Sequence, residues 1–190
     1  MAVVVYVISA LALPVAAFVV FRIVVRRDYL RHKRLTLTAS LLQLLLWAVY
    51  ILGFPSLYNP PYWMSVWVND GRVASALRNT GLVLIALGAA AALIGMAGLG
   101  FRRSVGRQAD VLRQTGLYSL TRNPQLVGGS LLILGTAVRW PSWSAVGWLL
   151  LFAVMIHMMV LTEEEHLRDR HGEEYERYRA RVPRHFGFRR

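Results

Sequence analysis

The stretch GLYSLTRNPQLVGGSLLILGTAV (Gly116–Val138), the Arg139–Trp143 corner after it, and the apolar run that ends in LTEEEHLRDRHGEEYERYRARVPRHF (Leu161–Phe186) decide how this chain is read. An apolar hairpin lies between two strongly polar segments. A hairpin returns its ends to one side, so the polar segments emerge together. The first ends in Asn123-Pro124, a helix-start signal, because asparagine favours the N-cap and proline is preorganised for the first helical position. The second follows an apolar helix directly and carries Glu163, Glu164 and Glu165 in succession. Chemistry is expected where these two segments meet.

Composition sets the class. Of 190 residues 56% are hydrophobic, and several apolar runs approach the roughly 20 residues that a bilayer requires. The chain reads as an all-α integral membrane protein with a single domain over residues 1–190. A formal charge of +12 would suggest nucleic acid in a soluble protein. Here the arginines cluster at the ends of apolar runs, which points to membrane topology and anionic headgroups and away from nucleic acid. There is no cysteine, which excludes disulfides, thiolate catalysis and cysteine–zinc sites. The N-terminus lacks a basic n-region, and Ala2–Phe21 is long enough to span, so it is expected to remain as the first helix.

Five spans are expected. Three occupy residues 1–101: Ala2–Val25 with a kink at Pro14, Leu35–Phe54, and Thr80–Phe101. A basic loop, Arg26–Arg34, joins the first two, and Arg22 lies where it can snorkel to the interface. In the second span Thr36, Thr38, Ser40 and Gln43 either bond across helices or line a site, Gln43 being the strongest candidate for the latter. Pro55–Arg78 reads as a loop with an aromatic belt of Tyr58, Tyr62, Trp63 and Trp67. Gly88, Ala91, Gly95 and Gly98 share one face of the third span, where another helix can approach closely. Residues 102–190 hold an arginine-rich connection, the short helical hairpin, and a C-terminal amphipathic helix whose tyrosines anchor and whose arginines meet lipid phosphates. Arginine placement puts the N-terminus outside and the C-terminus in the cytoplasm, in a bacterial-type inner membrane.

At the hairpin, Asn123 either caps its helix or, with the free N–H groups and positive dipole end there, helps bind an anion. Gly128 and Gly129 permit close approach by a ligand or another helix. Three adjacent carboxylates repel one another unless compensated, and successive helical residues diverge by about 100°, so at least one should turn inward. His157 and Glu164 are seven apart and share a face, which makes Glu164 the inward suspect. His157, His166 and His171 lack the i, i+4 pairing of a helical zinc site, so no metal is expected.

The pattern Gly-Leu-Tyr-x-x-x-Arg-Asn-Pro-x-x-x-Gly, then a hairpin, then Glu-Glu-x-x-Leu and Gly-Glu-Glu-Tyr-x-x-Tyr-x-x-x-Val-Pro-Arg resembles the isoprenylcysteine carboxyl methyltransferase and phospholipid methyltransferase group. The matching residues are Gly116, Tyr118, Arg122, Pro124, Gly128, Glu163, Glu164, Leu167, Gly172, Glu173, Glu174, Tyr175, Tyr178, Val182 and Pro183. The family commonly has Arg-His-Pro where this chain has Arg122-Asn123-Pro124, and a tyrosine where Leu126 stands. Asn-Pro is similar to the phospholipid branch. The resemblance implies an S-adenosylmethionine site at the cytoplasmic edge and a lipophilic acceptor arriving from the bilayer. In that reading Asn123, Pro124, Gln125 and Gly128 receive the cofactor's carboxylate end. Glu164, with Glu163 as alternate, meets its ammonium or ribose, and Tyr118 and Tyr175 supply aromatic surface. Arg122 or an arginine of the tail holds an anionic acceptor group, and Arg122 and Glu164 are the candidate catalytic pair. Membrane sterol reductases share a similar C-terminal pattern, so a nicotinamide-dependent reductase and a non-enzymatic adaptor stay as alternatives, and oligomerisation is left open.

Reporter fusions after Asp70 and at Arg190 should land on opposite sides of the membrane. The same side for both would remove the five-span count.

Overall fold

A computed structural model of the chain describes residues 2–53, 70–99, 112 and 114–184. Helices account for nearly all of the described residues, and no strand occurs among them. The first helix, α1 (Ala2–Ala17), contains Pro14, passes into a π-helical segment (Phe18–Val25), and continues as α2 (Arg26–His32). The expected basic loop is therefore helical over its first seven residues. Nothing between Arg26 and His32 breaks a helix, and the break comes at Lys33, whose backbone is left-handed (φ 55).

The turn to α3 (Leu37–Leu52) is fixed by its own polar groups. Thr36 Oγ1 accepts from Ala39 N–H at 3.3 Å, the usual N-cap bond, while buried Asp28 accepts from the Thr36 N–H at 3.0 Å and from its hydroxyl. In α3, Gln43 reaches only the Met159 sulfur of the last helix, at 3.8 Å. The aromatic belt expected at Tyr58, Tyr62, Trp63 and Trp67 lies outside the described residues.

Helix α4 spans Gly71–Leu99, starting nine residues before the expected Thr80. Asp70 supplies the reason. Its carboxylate accepts from the N–H groups of Arg72 (2.7 Å) and Val73 (3.2 Å), capping a helix over residues that were expected as loop. Helix α5 (Pro124–Arg139) runs antiparallel to α4 along a seam of glycines. A Cβ on Gly88 would lie 2.6 Å from Gly128 O, one on Gly128 2.4 Å from Ala92 N, and one on Gly135 2.7 Å from Gly81 O. The seam thus runs Gly81–Gly88–Gly95, and the expected stripe is shifted one turn-pair toward the N-terminus. Gly98 instead faces Tyr118, 3.8 Å away. With no side chains between them the two backbones touch, the usual way membrane helices associate without a hydrophobic drive.

Ser142 caps the last helix, α6 (Trp143–Arg181), through a 3.1 Å bond from Ala145 N–H. Its apolar part packs on α1 and α3 through Trp148, which is stacked on Tyr50 with ring centroids 5.4 Å apart. The first and last helices run parallel and in register. Tyr6 bonds Ser144 O, Arg22 bonds Thr162, Arg26 bonds Glu165, and Lys33 pairs with Asp169. Among the described residues three helices are long and apolar enough to cross a membrane: Tyr6–His32, Gly71–Gly98 and Trp143–Arg181. At about 1.5 Å per residue, the 16 residues of α3 and of α5 reach roughly 24 Å, less than the hydrocarbon thickness.

Helix α6 is not one straight rod. Gly172 has φ 49 and ψ −122, a conformation that essentially only glycine adopts. The chain folds back there, so that Arg168 reaches Glu176 (2.7 Å) and Arg184 reaches Glu164, contacts impossible along a continuous helix. The tail is consequently a packed element, with Tyr175, Tyr178 and Val182 buried against Leu112 and Leu167, where a lipid-lying amphipathic helix was expected.

Gly128→Ala should lower stability by about 1–3 kcal/mol, the usual range for overpacking, because the clash is with backbone and no rotamer relieves it. Gly71→Ala, with nothing within 4 Å of its added carbon, should stay close to wild type. Thermal unfolding in detergent compares them, and equal midpoints would dismiss the seam.

Candidate functional site

The two polar segments do meet, and they meet around one carboxylate. A short 3₁₀ turn, Gly116–Ser119, opens with Gly116 at φ 65 and leads into Thr121-Arg122-Asn123 and the start of α5. The folded-back tail lies alongside. Arg122 N–H donates to Pro183 O (3.0 Å), the Thr121 hydroxyl to Arg184 O (3.2 Å), and the Asn123 amide to the same carbonyl (3.0 Å). Tyr178 donates to Tyr118 O at 2.7 Å, and burial pushes its phenol up to about 12, which keeps the proton on the donor.

Glu164 sits at the centre. Arg184 grips it with two bonds, Nε to Oε1 at 2.9 Å and Nη2 to Oε2 at 2.6 Å. Arg122 Nη1 lies 2.9 Å from Oε1 and also donates to the Tyr175 hydroxyl at 3.0 Å. The Arg122 and Glu164 side chains are 5% and 9% exposed, the Arg184 side chain 31%. That bidentate bond to Glu164 raises the Arg184 pKa above its ordinary value, so its charge is held. Two cations on one carboxylate leave the cluster with an excess positive charge. Arg122 Nε is buried and has no hydrogen-bond partner among the described residues.

The three glutamates diverge as helical rotation requires. Glu164 turns to the arginine pair. Glu165 turns to the first helix, where Arg22 (2.8 Å) and Arg26 (2.7 Å) hold it, so Arg22 is an ion-pair partner where snorkelling was expected. Glu163 is partly buried and makes no hydrogen bond or ion pair among the described residues. The inward face inferred from His157 needs correction. His157 is exposed although Glu164, seven residues on, is buried, because only at the lower level do the Arg122 turn and the tail cover that face. His166 is also buried, stacked on Tyr29 with centroids 4.0 Å apart.

Other expected site residues are used differently from what the sequence suggested. Asn123 makes no side-chain cap; its amide is committed to the tail, and its carbonyl accepts from the N–H groups of Leu126 (3.1 Å) and Val127 (3.0 Å). Pro124 is fully buried at the first helical position. Gln125 accepts from the Tyr118 hydroxyl. Gly128 faces the α4 backbone. Tyr118 and Tyr175 are 6% and 1% exposed, so their ring faces are covered and their hydroxyls do the work. Arg184 was missed as a partner of Glu164. No spacing rule pairs residues 20 apart on what reads as one helix, and only the glycine at 172 hinted at the reversal.

Comparison with known proteins supplies the family. A family model for phospholipid methyltransferase matches residues 76–174, just over half of the chain. The match takes in most of α4, all of α5, and α6 from its start to just past the reversal at Gly172. The chain belongs to the phospholipid methyltransferase family, and it is a membrane methyltransferase by that membership. No curated protein and no solved structure gives a significant match.

Glu164→Gln should destabilise the fold by about 3–5 kcal/mol, since it strands two cations, one of them fully enclosed. Glu165→Gln acts on a carboxylate side chain that is 38% exposed and should cost about 1 kcal/mol or less. Unfolding by titration with a denaturing detergent compares the two; equal losses would show that the arginine-bound carboxylate is no anchor.

Proposed function

We propose that the chain transfers the sulfonium methyl group of S-adenosylmethionine to an oxygen, nitrogen or sulfur of a lipid or other lipophilic acceptor. One observation carries the reading: Arg122 beside the Asn-Pro helix start and Glu164 of the Glu-Glu pair, far apart in sequence and both within the residues that match the family, converge on a single buried ion cluster. The residues present suit the cofactor's amino-acid end. Arg122 Nε, with the start of α5 at Asn123, Pro124 and Gln125 beside it, is a donor set for a carboxylate. Glu163, the carboxylate without a cation among the described residues, suits the ammonium. Glu164 then acts as a positioning residue, holding Arg122 through its ion pair and the tail through Arg184.

S-adenosylmethionine would bring the electrophilic methyl group. The protein's own part in an in-line displacement is to orient the two partners and keep water out. Tyr118 and Tyr175 contribute by holding Gln125 and Arg122 through their hydroxyls. The proposed architecture remains one membrane domain of five spans, with residues 1–101 supplying three and residues 102–190 the catalytic connection, hairpin and tail. The parallel, in-register first and last helices support an odd number of crossings. The C-terminus is assigned to the cytoplasm of an inner membrane by arginine placement.

Calorimetric titration of the detergent-purified chain with S-adenosylhomocysteine should give binding in the micromolar to millimolar range. Glu163→Gln should weaken it about ten- to hundredfold, the loss of one charge-assisted hydrogen bond. Binding of a reduced nicotinamide with no response to S-adenosylhomocysteine would replace this reading with a reductase.

A further inference from the structure

The first helix carries one exposed stripe along its whole length. Ile8, Leu11, Val15, Val19 and Ile23 are all open, from 42% to 70% exposed, and form its lipid-facing side. The same side continues into α2 as Arg27, Leu30 and Arg31, spaced i, i+3, i+4 and all exposed, Leu30 by 57%, and Arg34, also exposed, follows the break at Lys33. An apolar face that turns basic within one helical turn marks the depth at which acyl chains give way to headgroups.

These cations are unlike the others at this end of the molecule. Arg22 and Arg26 hold Glu165, Lys33 holds Asp169, Arg122 and Arg184 hold Glu164, and Arg168 and Arg179 hold Glu176. Arg177 and Arg181 donate to backbone carbonyls, and Arg181 also to Gln114. Arg27, Arg31 and Arg34 have no hydrogen bond or ion pair among the described residues. They extend away from the protein, at headgroup depth, around an exposed leucine.

We infer that the Arg27–Leu30–Arg31–Arg34 stripe docks on anionic phospholipid headgroups, so that α2, and not the arginine-rich tail, is the chain's acidic-lipid surface. Guanidinium forks match phosphate geometry, and Leu30 enters the acyl boundary beside them. Attraction of a basic residue near an anionic surface amounts to about fivefold in binding, so three together should set a clear preference. Headgroups whose phosphate is balanced by a choline ammonium offer no such net charge.

The test uses the full chain in mixed detergent micelles containing equal phosphatidylglycerol and phosphatidylcholine, with bound lipids counted by native mass spectrometry. Wild type should retain phosphatidylglycerol about tenfold or more over phosphatidylcholine. Arg27→Gln/Arg31→Gln/Arg34→Gln should bring the ratio below about threefold, and Arg177→Gln/Arg181→Gln should leave it unchanged. Arg31→Gln alone, the mildest change, should lower it about threefold even where the triple variant does not fold. A preference that survives the stripe variants, or that falls with the tail variant, would overturn the inference. So would a wild type with no lipid preference that binds a 20-nucleotide RNA.

Discussion

The fold at the polar end depends on a carboxylate that two arginines must neutralise. Burying Glu164 alone would be prohibitive, and burying it with one arginine would roughly break even against the lost hydration. With Arg122 on one side and Arg184 gripping both oxygens, three segments distant in sequence are brought to a common point: the α5 start, the exit of α6, and the chain after the reversal. The other contacts there follow from this. Once Arg184 is on Glu164, its carbonyl lies where Thr121 and Asn123 can reach it, and Pro183 O meets Arg122 N–H. Tyr175 and Tyr178 then close over the arginine and the 3₁₀ turn.

Much of this arrangement was legible in the residues, and the failures have physical causes. Apolar run length and the Asn-Pro start located α5 within a residue, and the Trp-Pro corner located the start of α6, because these signals are local. The divergence of three adjacent glutamates was legible for the same reason. The helical course of α2 was missed because a run of basic residues was read as a loop, and the early start of α4 because the cap at Asp70 was not recognised; Asp28 is an inward brace for Thr36. The use of Asn123 was missed because capping is a local preference, overridden here by a carbonyl delivered from 61 residues away. The reversal at Gly172 was the largest omission. An isolated glycine in a helical pattern is at most a hint, since it does not say whether a conformation closed to other residues is being used.

The first helix shows how chain direction shapes a membrane protein. Because it runs parallel to α6, their charged exits coincide, and the acidic exit of one can be answered by the basic exit of the other. Glu165 and Asp169 find Arg22, Arg26 and Lys33 in order. These partners lie outside residues 76–174, so the part of the chain that matches the family rests on an element the match does not include. The Tyr29–His166 stack lies on the same boundary.

The glycine seam has a consequence for traffic. Where two backbones touch at three points a heptad apart, no acyl chain can wedge between α4 and α5, and the two must translate together if they move at all. A lipophilic molecule approaching the buried ion cluster from within the bilayer therefore has one wall that does not part. The opposite flank, where α3 meets α6, is held by side chains that can change rotamer: the Tyr50 hydroxyl on Trp148 O, the stacked rings of those two residues, and the Gln43–Met159 contact. Side chains can yield where touching backbones cannot, so the glycine side is the fixed edge of the molecule.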